Sequence, residues 1–195
     1  MTHCEHSLPT PNMGVTVTYL EMRSVAELRP KYCPDRAFVV QEARIKPWPV
    51  NKFLYGYIGG AWAWWEKLNW TDEQWRTYAE DDRLRTWIAS YNGSLTGYFE
   101  LQRDDEAGVE ISYFGLTPAF IGRGLGGPLL TAALAAAWAT QPERVWVHTC
   151  TLDHPAALAN YLARGMKSYR IEVAENPPPP LQHIAACSAT QSRSI

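Results

Sequence analysis

The sequence contains Gly122-Arg123-Gly124-Leu125-Gly126-Gly127, a glycine-rich turn in the second half of the chain from which a fold class can be inferred. A β-rich run at residues 109–116 precedes it, and an alanine- and leucine-rich run to about residue 140 follows it. These patterns predict a strand, a turn and a buried helix. Because glycines lack β-carbons, the backbone can approach a ligand closely, and free N–H groups with the helix dipole favour a pyrophosphate. The turn therefore predicts a site for a phosphorylated cofactor.

Two other interpretations fit the same residues. Gly122, Gly124 and Gly127 match the G-x-G-x-x-G fingerprint of dinucleotide-binding sheets. That fold needs several further βα units, whereas only about two strands and two helices are predicted between this turn and the prolines at 177–180, so we rank it second. In the third interpretation, the glycines only allow the helix to pack closely against the strand.

The predicted strands on either side of the turn favour a largely antiparallel sheet. Residues 84–91 and 95–102 are β-rich runs joined by Asn92-Gly93, which tolerates the positive φ values of a type I′ hairpin turn. The other predicted strands are residues 14–21, 38–40, 144–152 and 167–173.

Helices are predicted between these strands. Residues 50–68 show helical spacing interrupted by Gly56, Gly59 and Gly60, and Thr71 with Gln74 forms a capping box that opens another helix. Short helices are predicted at residues 24–29 and 155–163. The order of elements then predicts one domain over residues 14–175, a frayed N-terminus at 1–13 and a flexible proline-rich tail at 176–195.

Composition excludes several classes of protein. The 195 residues are 46% hydrophobic and 19% charged, which is typical of a globular chain with its own core. A net charge of −2 gives no global positive field, so a nucleic-acid partner is disfavoured. The longest apolar stretch, residues 129–139, falls short of the ~20 residues that span a bilayer, so no membrane partner is expected.

The cysteines and the N-terminal histidines are the side chains that could form a disulfide or a metal site. Four dispersed cysteines without a C-x-x-C pair argue against a disulfide scaffold or a zinc ribbon and favour a reducing cytoplasm. His3, Cys4 and His6 lie in a polar terminus without a fourth ligand at a known spacing, so no metal site is expected. His148 and Cys150 are interpreted as structural residues of a strand.

From residue 109 to 173 the sequence resembles the GNAT superfamily of acetyl-coenzyme A (acetyl-CoA) dependent N-acetyltransferases. The family signature Q/R-x-x-G-x-G/A is approached by Ile121-Gly122-Arg123-Gly124-Leu125-Gly126, with Ile121 at the usual Gln or Arg position. The family run N-x-x-A-x-x-x-Y-x-x-x-G-F is similar to the run from His154 to Met166, which keeps the Ala, Tyr and Gly positions.

The resemblance implies an α/β (α+β) fold with a mixed, mostly antiparallel sheet and helices on both faces. The sheet would be split between its fourth and fifth core strands, residues 109–116 and 144–152, and acetyl-CoA would enter that split as co-substrate. The implied cofactor-binding residues are Phe114, Gly115, Leu116, Gly122, Arg123, Gly124, Leu125, Gly126, Gly127 and Tyr161.

The resemblance also suggests two catalytic residues. Glu110 lies fourteen residues before Gly124, the spacing at which several family members carry a general base, and an ammonium needs such a base before it can attack. The competing interpretation is a carboxylate on a half-exposed strand, and Glu100 is the reserve candidate. Tyr161 stands where the family has the acid that protonates the departing thiolate; otherwise it is a packed tyrosine.

The implied activity is acetyl transfer to a small-molecule or peptide amine by direct attack. A rival is a non-catalytic sensor that keeps the fold and binds coenzyme A (CoA), since fold does not guarantee function. The aromatic-rich residues 53–78 would line the acceptor pocket by stacking or cation–π attraction, although core packing is favoured for most of them. Exposed aromatic side chains would favour a homodimer.

Overall fold

The computed structural model describes residues 14–62 and 64–174. Its strands are β1 (Val15–Met22), β2 (Phe38–Glu42), β3 (Leu84–Tyr91), β4 (Ser94–Asp104), β5 (Gly108–Leu116), β6 (Val145–Cys150) and β7 (Lys167–Ala174). They form one sheet in the order β2-β3-β4-β5-β6-β1-β7. The predictions for residues 1–13 and 176–195, with His3, Cys4 and His6, lie outside the described residues.

Every neighbouring pair of strands is antiparallel except β5 with β6, which is parallel. The predicted mixed, mostly antiparallel sheet is therefore confirmed. The β3–β4 turn is also as predicted, since Asn92 has φ 49° and Gly93 has φ 80°.

A β-bulge in β5 changes the face of the sheet towards which its side chains point. Glu100 pairs with Tyr113 and Leu101 pairs with Ile111, so Ser112 is an extra residue between the two pairs. Tyr113 consequently packs on one face of the sheet, whereas Ile111 contributes to the core on the other face.

The helices are α1 (Trp48–Gly59), α2 (Asp72–Glu80), α3 (Gly126–Trp138) and α4 (Ala157–Ala163). Helix α3 buries Leu129, Leu130 and Leu134 in the larger core, to which Tyr161 of α4 also belongs. Helix α1 packs Leu54 and Ile58 against the opposite face. Helices therefore cover both faces, as predicted, and Thr71 and Gln74 form the predicted capping box.

Two predicted helices are shorter in the structure. The helical spacing of residues 50–68 is interrupted after Gly59, where α1 ends; the Trp64 ring packs there, and a β-carbon at Gly59 would collide with it. Turns follow at residues 60–62 and 66–69 before α2 begins. The stretch predicted as helical at residues 24–29 forms only a single 3₁₀ turn at Val25–Glu27.

A buried carboxylate connects both of the earlier helices to the sheet. Glu100 on β4 is 1% exposed and accepts hydrogen bonds from Asn51 Nδ2 of α1 at 2.8 Å and Tyr78 Oη of α2 at 2.6 Å. Asn51 also donates to Thr86 Oγ1 on β3 at 2.8 Å. Burial raises the pKa of the Glu100 carboxyl, while the two donated hydrogen bonds act in the opposite direction.

This environment predicts a distinctive pH dependence of stability for Glu100→Gln. Because the folded-state pKa of Glu100 lies above its ordinary value, ionisation favours the unfolded chain. The free energy of unfolding of the wild type should therefore fall relative to that of Glu100→Gln as pH rises above about 4.3. Urea unfolding of both proteins between about pH 4 and pH 8 measures the difference.

Glu42→Gln is the matched control. A hydrogen-bonded ion pair with Arg85 lowers the pKa of the Glu42 carboxyl, so its stabilising contribution is lost as pH falls. The stability of the wild type relative to Glu42→Gln should therefore rise with pH only below about 4.3 and stay level above it, where its stability relative to Glu100→Gln falls. Parallel curves for Glu100→Gln and wild type would contradict the assignment.

Candidate active site

The parallel strands β5 and β6 stay together over only two positions. Val109 pairs with Val145 and Glu110 with Trp146, and beyond these pairs the strands diverge. Each strand keeps its other neighbour, β4 for β5 and β1 for β6, so the sheet opens without coming apart. A cavity of about 900 Å³ occupies the split, which is the size range of small-molecule and cofactor sites.

Most of the predicted cofactor-binding residues lie on the wall of this cavity. Those that line it are Phe114, Gly115, Leu116, Gly122, Gly124, Gly126, Gly127 and Tyr161. Arg123 and Leu125 do not line it. Leu125 is 7% exposed and packs into the core, whereas Arg123 is exposed and its guanidinium lies over the Phe120 ring.

The glycine turn has the backbone geometry of an anion site. Gly122 and Gly124 have φ values of 79° and 77°, which favour glycine, and a β-carbon at either would meet no atom within 4 Å. Helix α3 begins at Gly126 and has no acidic residue in its first turn. Its first N–H groups and the positive end of its dipole are thus left for an anion.

Two cations flank the start of α3. A β-carbon at Gly127 would lie 2.5 Å from Arg164 Nη1 and 2.7 Å from Lys31 Cδ, and both side chains line the cavity. Among the described residues, the buried Nε of Arg164 has no hydrogen-bond partner. Positive side chains at the positive end of a helix dipole repel it unless an anion lies between them. The arrangement therefore fits phosphate groups.

Lys31 and Arg164 were missed at the level of sequence. Lys31 reaches α3 through its backbone N–H, which donates to Thr131 Oγ1, 100 positions away in the chain, at 2.9 Å. No local pattern marks such a long-range contact.

Tyr161 lies on α4 beside the glycine turn. It is 6% exposed, lines the cavity, and its ring centroid lies 6.0 Å from that of Phe114. Its neighbour Asn160 donates a hydrogen bond from Nδ2 to the Gly126 carbonyl at 3.1 Å, which ties α4 to the start of α3. Burial raises the pKa of the Tyr161 phenol well above its usual range, so the phenol keeps its proton at neutral pH.

The two candidate bases are in different places. Glu110 lies at the point where the strands part, and its Oε1 is 3.5 Å from Nδ1 of His148, which lines the cavity. Glu100 is buried between α1, α2 and the sheet and does not line the cavity.

Cys150 also lines the cavity, and burial raises the pKa of its thiol. A protonated thiol is a poor nucleophile.

The opposite wall of the cavity is aromatic. Trp62, Trp64 and Trp65 line it with Tyr113, and the Trp62 ring lies 5.1 Å from that of His154 across the mouth. The predicted core packing of residues 53–78 applies to Tyr55 and Trp75, which are 2% and 1% exposed. Trp64 has both roles, since it packs against Leu54, Ile58 and Tyr98 and also lines the cavity.

A lysine of the chain itself occupies the centre of the aromatic group. Lys67 Nζ lies 4.4, 4.6 and 4.9 Å from the ring centroids of Trp70, Tyr78 and Tyr113, and it donates to Tyr113 Oη at 2.9 Å. Burial lowers the pKa of this ammonium. Lys67 thus makes internal cation–π contacts that link it to Trp70, Tyr78 and Tyr113.

Comparison with known families matches this geometry to one of them. The model of the acetyltransferase (GNAT) family matches residues 45–166. The chain belongs to this family. The match includes β5, the glycine turn, α3, β6 and α4, and the GNAT fold predicted from the sequence is confirmed. None of the curated proteins compared with this GNAT chain matches it.

Solved structures of GNAT proteins have the same fold. A GCN5-related N-acetyltransferase from Sphaerobacter thermophilus aligns with TM-score 0.62 and 15% identity, covering 82% of this chain and 50% of the other. The corresponding protein from Kribbella flavida aligns with TM-score 0.57 and 14% identity, covering 89% and 63%. An aminoglycoside acetyltransferase from an uncultured soil metagenomic sample aligns with TM-score 0.53 and 15% identity, covering 67% and 88%.

These identities support a shared fold and no more. The chain spans half the length of the Sphaerobacter protein.

Within residues 14–62 and 64–174, no helix is long and apolar enough to cross a membrane. The same residues contain no cluster of three or more His, Cys, Asp or Glu side chains placed to hold a metal ion.

Proposed function

We propose that this GNAT protein transfers an acetyl group from acetyl-CoA to an amine by direct attack, without an acyl-enzyme. The observation that carries the proposal is the split between β5 and β6, with the glycine turn and two cations along one side and a buried tyrosine beside them. Family membership supports acyl transfer in general. Acetyl-CoA and the amine acceptor are our proposal for this chain.

The cofactor phosphates would lie against the glycine turn and the first N–H groups of α3, between Lys31 and Arg164. The pantetheine arm would follow β5. Beyond Glu110, the backbone N–H and C=O groups of β5 that point into the split have no β6 partner, so they are free to bind the amides of that arm. One such N–H can also stabilise the thioester oxygen as negative charge develops on it.

Tyr161 would protonate the leaving thiolate, and the pair of Glu110 and His148 would accept a proton from the attacking amine. Cys150 would stay a thiol and take no part. The acceptor, a small molecule or a peptide, would enter along the tryptophan wall, where its apolar part can pack. Cytoplasmic location and homodimer formation stay predictions.

A combined binding and turnover experiment tests the proposal. Calorimetry with CoA should show binding, and incubation with acetyl-CoA and a panel of small amines and peptides should release free thiol with at least one acceptor. Absence of CoA binding would contradict the proposal at its first step. Tight CoA binding without thiol release from any amine would instead favour the sensor role.

Lys31→Met tests the phosphate site. Methionine keeps the unbranched stem that packs on Gly127 and removes only the charge. Loss of one charge-assisted contact should weaken CoA binding by roughly 10-fold, measured by calorimetry. Lys52→Met is the control, because Lys52 pairs with Asp72 on the surface and does not line the cavity. Equal losses in both variants would indicate a non-specific charge effect.

Tyr161→Phe tests the general acid. The substitution removes one oxygen from a buried ring, so the fold and CoA affinity should be retained while turnover falls by roughly 10²-fold. Steady-state thiol release measures the rate, and calorimetry measures the affinity. Unchanged turnover would leave Tyr161 with a packing role only.

A further inference from the structure

We infer that His148 is the catalytic group that removes the proton from the attacking ammonium, and that Glu110 is its positioning residue across the split. This inference rests on the proposed acetyl transfer. It assigns to His148, interpreted from the sequence as a structural residue, the base role first predicted for Glu110.

The register of the sheet brings the two side chains together. Glu110 pairs with Trp146, and this is the last pair before β5 and β6 diverge. His148 lies two residues further along β6 and therefore on the same face as Trp146, while Val147 between them is 2% exposed in the core on the other face. His148 is thus the first β6 side chain on this face beyond the closed end of the split.

The Glu110 carboxylate faces Nδ1 of the His148 imidazole. Glu110 Oε1 is 3.5 Å from His148 Nδ1, and 22% of the Glu110 side chain is exposed against 46% of the His148 side chain. With its proton on Nδ1, facing the carboxylate, the neutral imidazole presents Nε2 as the acceptor. Only His148 of the pair lines the cavity. The carboxylate therefore lies behind the imidazole, where it can orient the ring but does not face an acceptor directly.

The groups around His148 are mainly acidic or aromatic. Glu110 on β5 is nearest, Glu66 and Asp153 add weaker electrostatic attraction, and the Tyr19 ring on β1 lies 5.8 Å away. The hydrogen bond to Glu110 raises the pKa of His148 above its ordinary value, and burial partly offsets this increase. Asp153 is itself engaged, since its Oδ2 accepts from Thr149 Oγ1 and the Cys150 N–H.

The second histidine on the cavity wall is less suited to the role. His154 lies at the mouth, where its ring contacts Trp62 and its Nδ1 accepts the Ala156 N–H at 3.0 Å. That hydrogen bond keeps the proton on Nε2 in the neutral ring, so neither nitrogen is free to accept another.

Acetyl transfer to an ammonium requires that two protons leave its nitrogen. Nε2 of His148 takes one proton from the ammonium and later passes it to solvent. The neutral nitrogen attacks the thioester carbonyl carbon, the C–N bond forms and the C–S bond breaks. Tyr161 gives its proton to the departing sulfur and regains one from the nitrogen as the amide forms. The amine thus loses two protons, one to solvent and one to the thiol, and no oxidant or metal is required.

The test combines NMR titration of the histidine side chains with the pH profile of kcat/KM. Because neutral imidazole is the base, kcat/KM should rise with pH through the pKa of His148. Glu110→Gln should lower that pKa and move the acid limb of the profile to lower pH by the same amount. His148→Asn should abolish the limb and reduce kcat by roughly 10²- to 10⁴-fold, with CoA affinity retained. The control variant His154→Asn should keep the limb in place.

Distinct outcomes would overturn the inference. An acid limb that survives in His148→Asn but disappears in Glu110→Gln would make Glu110 the base, acting through a water. A His148 pKa that does not change in Glu110→Gln would show that the two side chains are not coupled. Wild-type protein that binds no CoA and transfers no acetyl group would refute the proposed function, and this inference with it. Normal wild-type turnover with an unchanged profile in His148→Asn would refute the inference alone.

Discussion

The short parallel contact between β5 and β6 determines where the sheet opens and which residues meet there. Two residue pairs hold the strands together at one end, and each strand is then stabilised only by its antiparallel neighbour on the far side. Backbone groups in the middle of a sheet are thereby left unpaired, which is costly unless water or a ligand satisfies them. The same divergence places the start of α3, Tyr161 and His148 around one volume.

Contacts made by Glu100 and Lys67 help to shape the aromatic wall of the cavity. Glu100 connects α1 and α2 to β4, and Lys67, in the segment between α1 and α2, donates a hydrogen bond to Tyr113. The hydrogen bonds of Glu100 and Lys67 to specific partners restrict how the neighbouring aromatic side chains can pack. The Ser112 bulge contributes by turning Tyr113 towards this wall while Ile111 stays in the core.

Local sequence patterns were sufficient to predict some features of the fold. The strand, glycine turn and helix around residue 122, the Asn92-Gly93 hairpin and the Thr71 capping box each depend on neighbouring residues, so periodicity and turn chemistry predicted them. The resemblance to GNAT proteins pointed to Tyr161, which the structure places on the cavity wall.

Other features depend on the register between distant strands, which alternation of polar and apolar residues cannot specify. His148 was interpreted as a strand residue because its contact with Glu110 exists only once β5 and β6 are aligned. Lys31 and Arg164 meet at Gly127 through contacts that no local pattern marks. The glycines within residues 50–68 indicated an interruption, but the pattern could not show that the Trp64 ring would pack against Gly59.

The position of β1 in the sheet has a consequence for how the chain folds. β1 lies between β6 and β7 and pairs with both, and its Tyr19 hydroxyl donates to a Glu172 oxygen 153 positions later in the sequence. During synthesis β1 has no strand partner until nearly all of the described chain has left the ribosome. Non-local pairing of this kind slows folding and leaves strand edges exposed for longer. The half of the sheet that carries His148 should therefore be the last part of the domain to form, after the β3–β4 hairpin has formed locally.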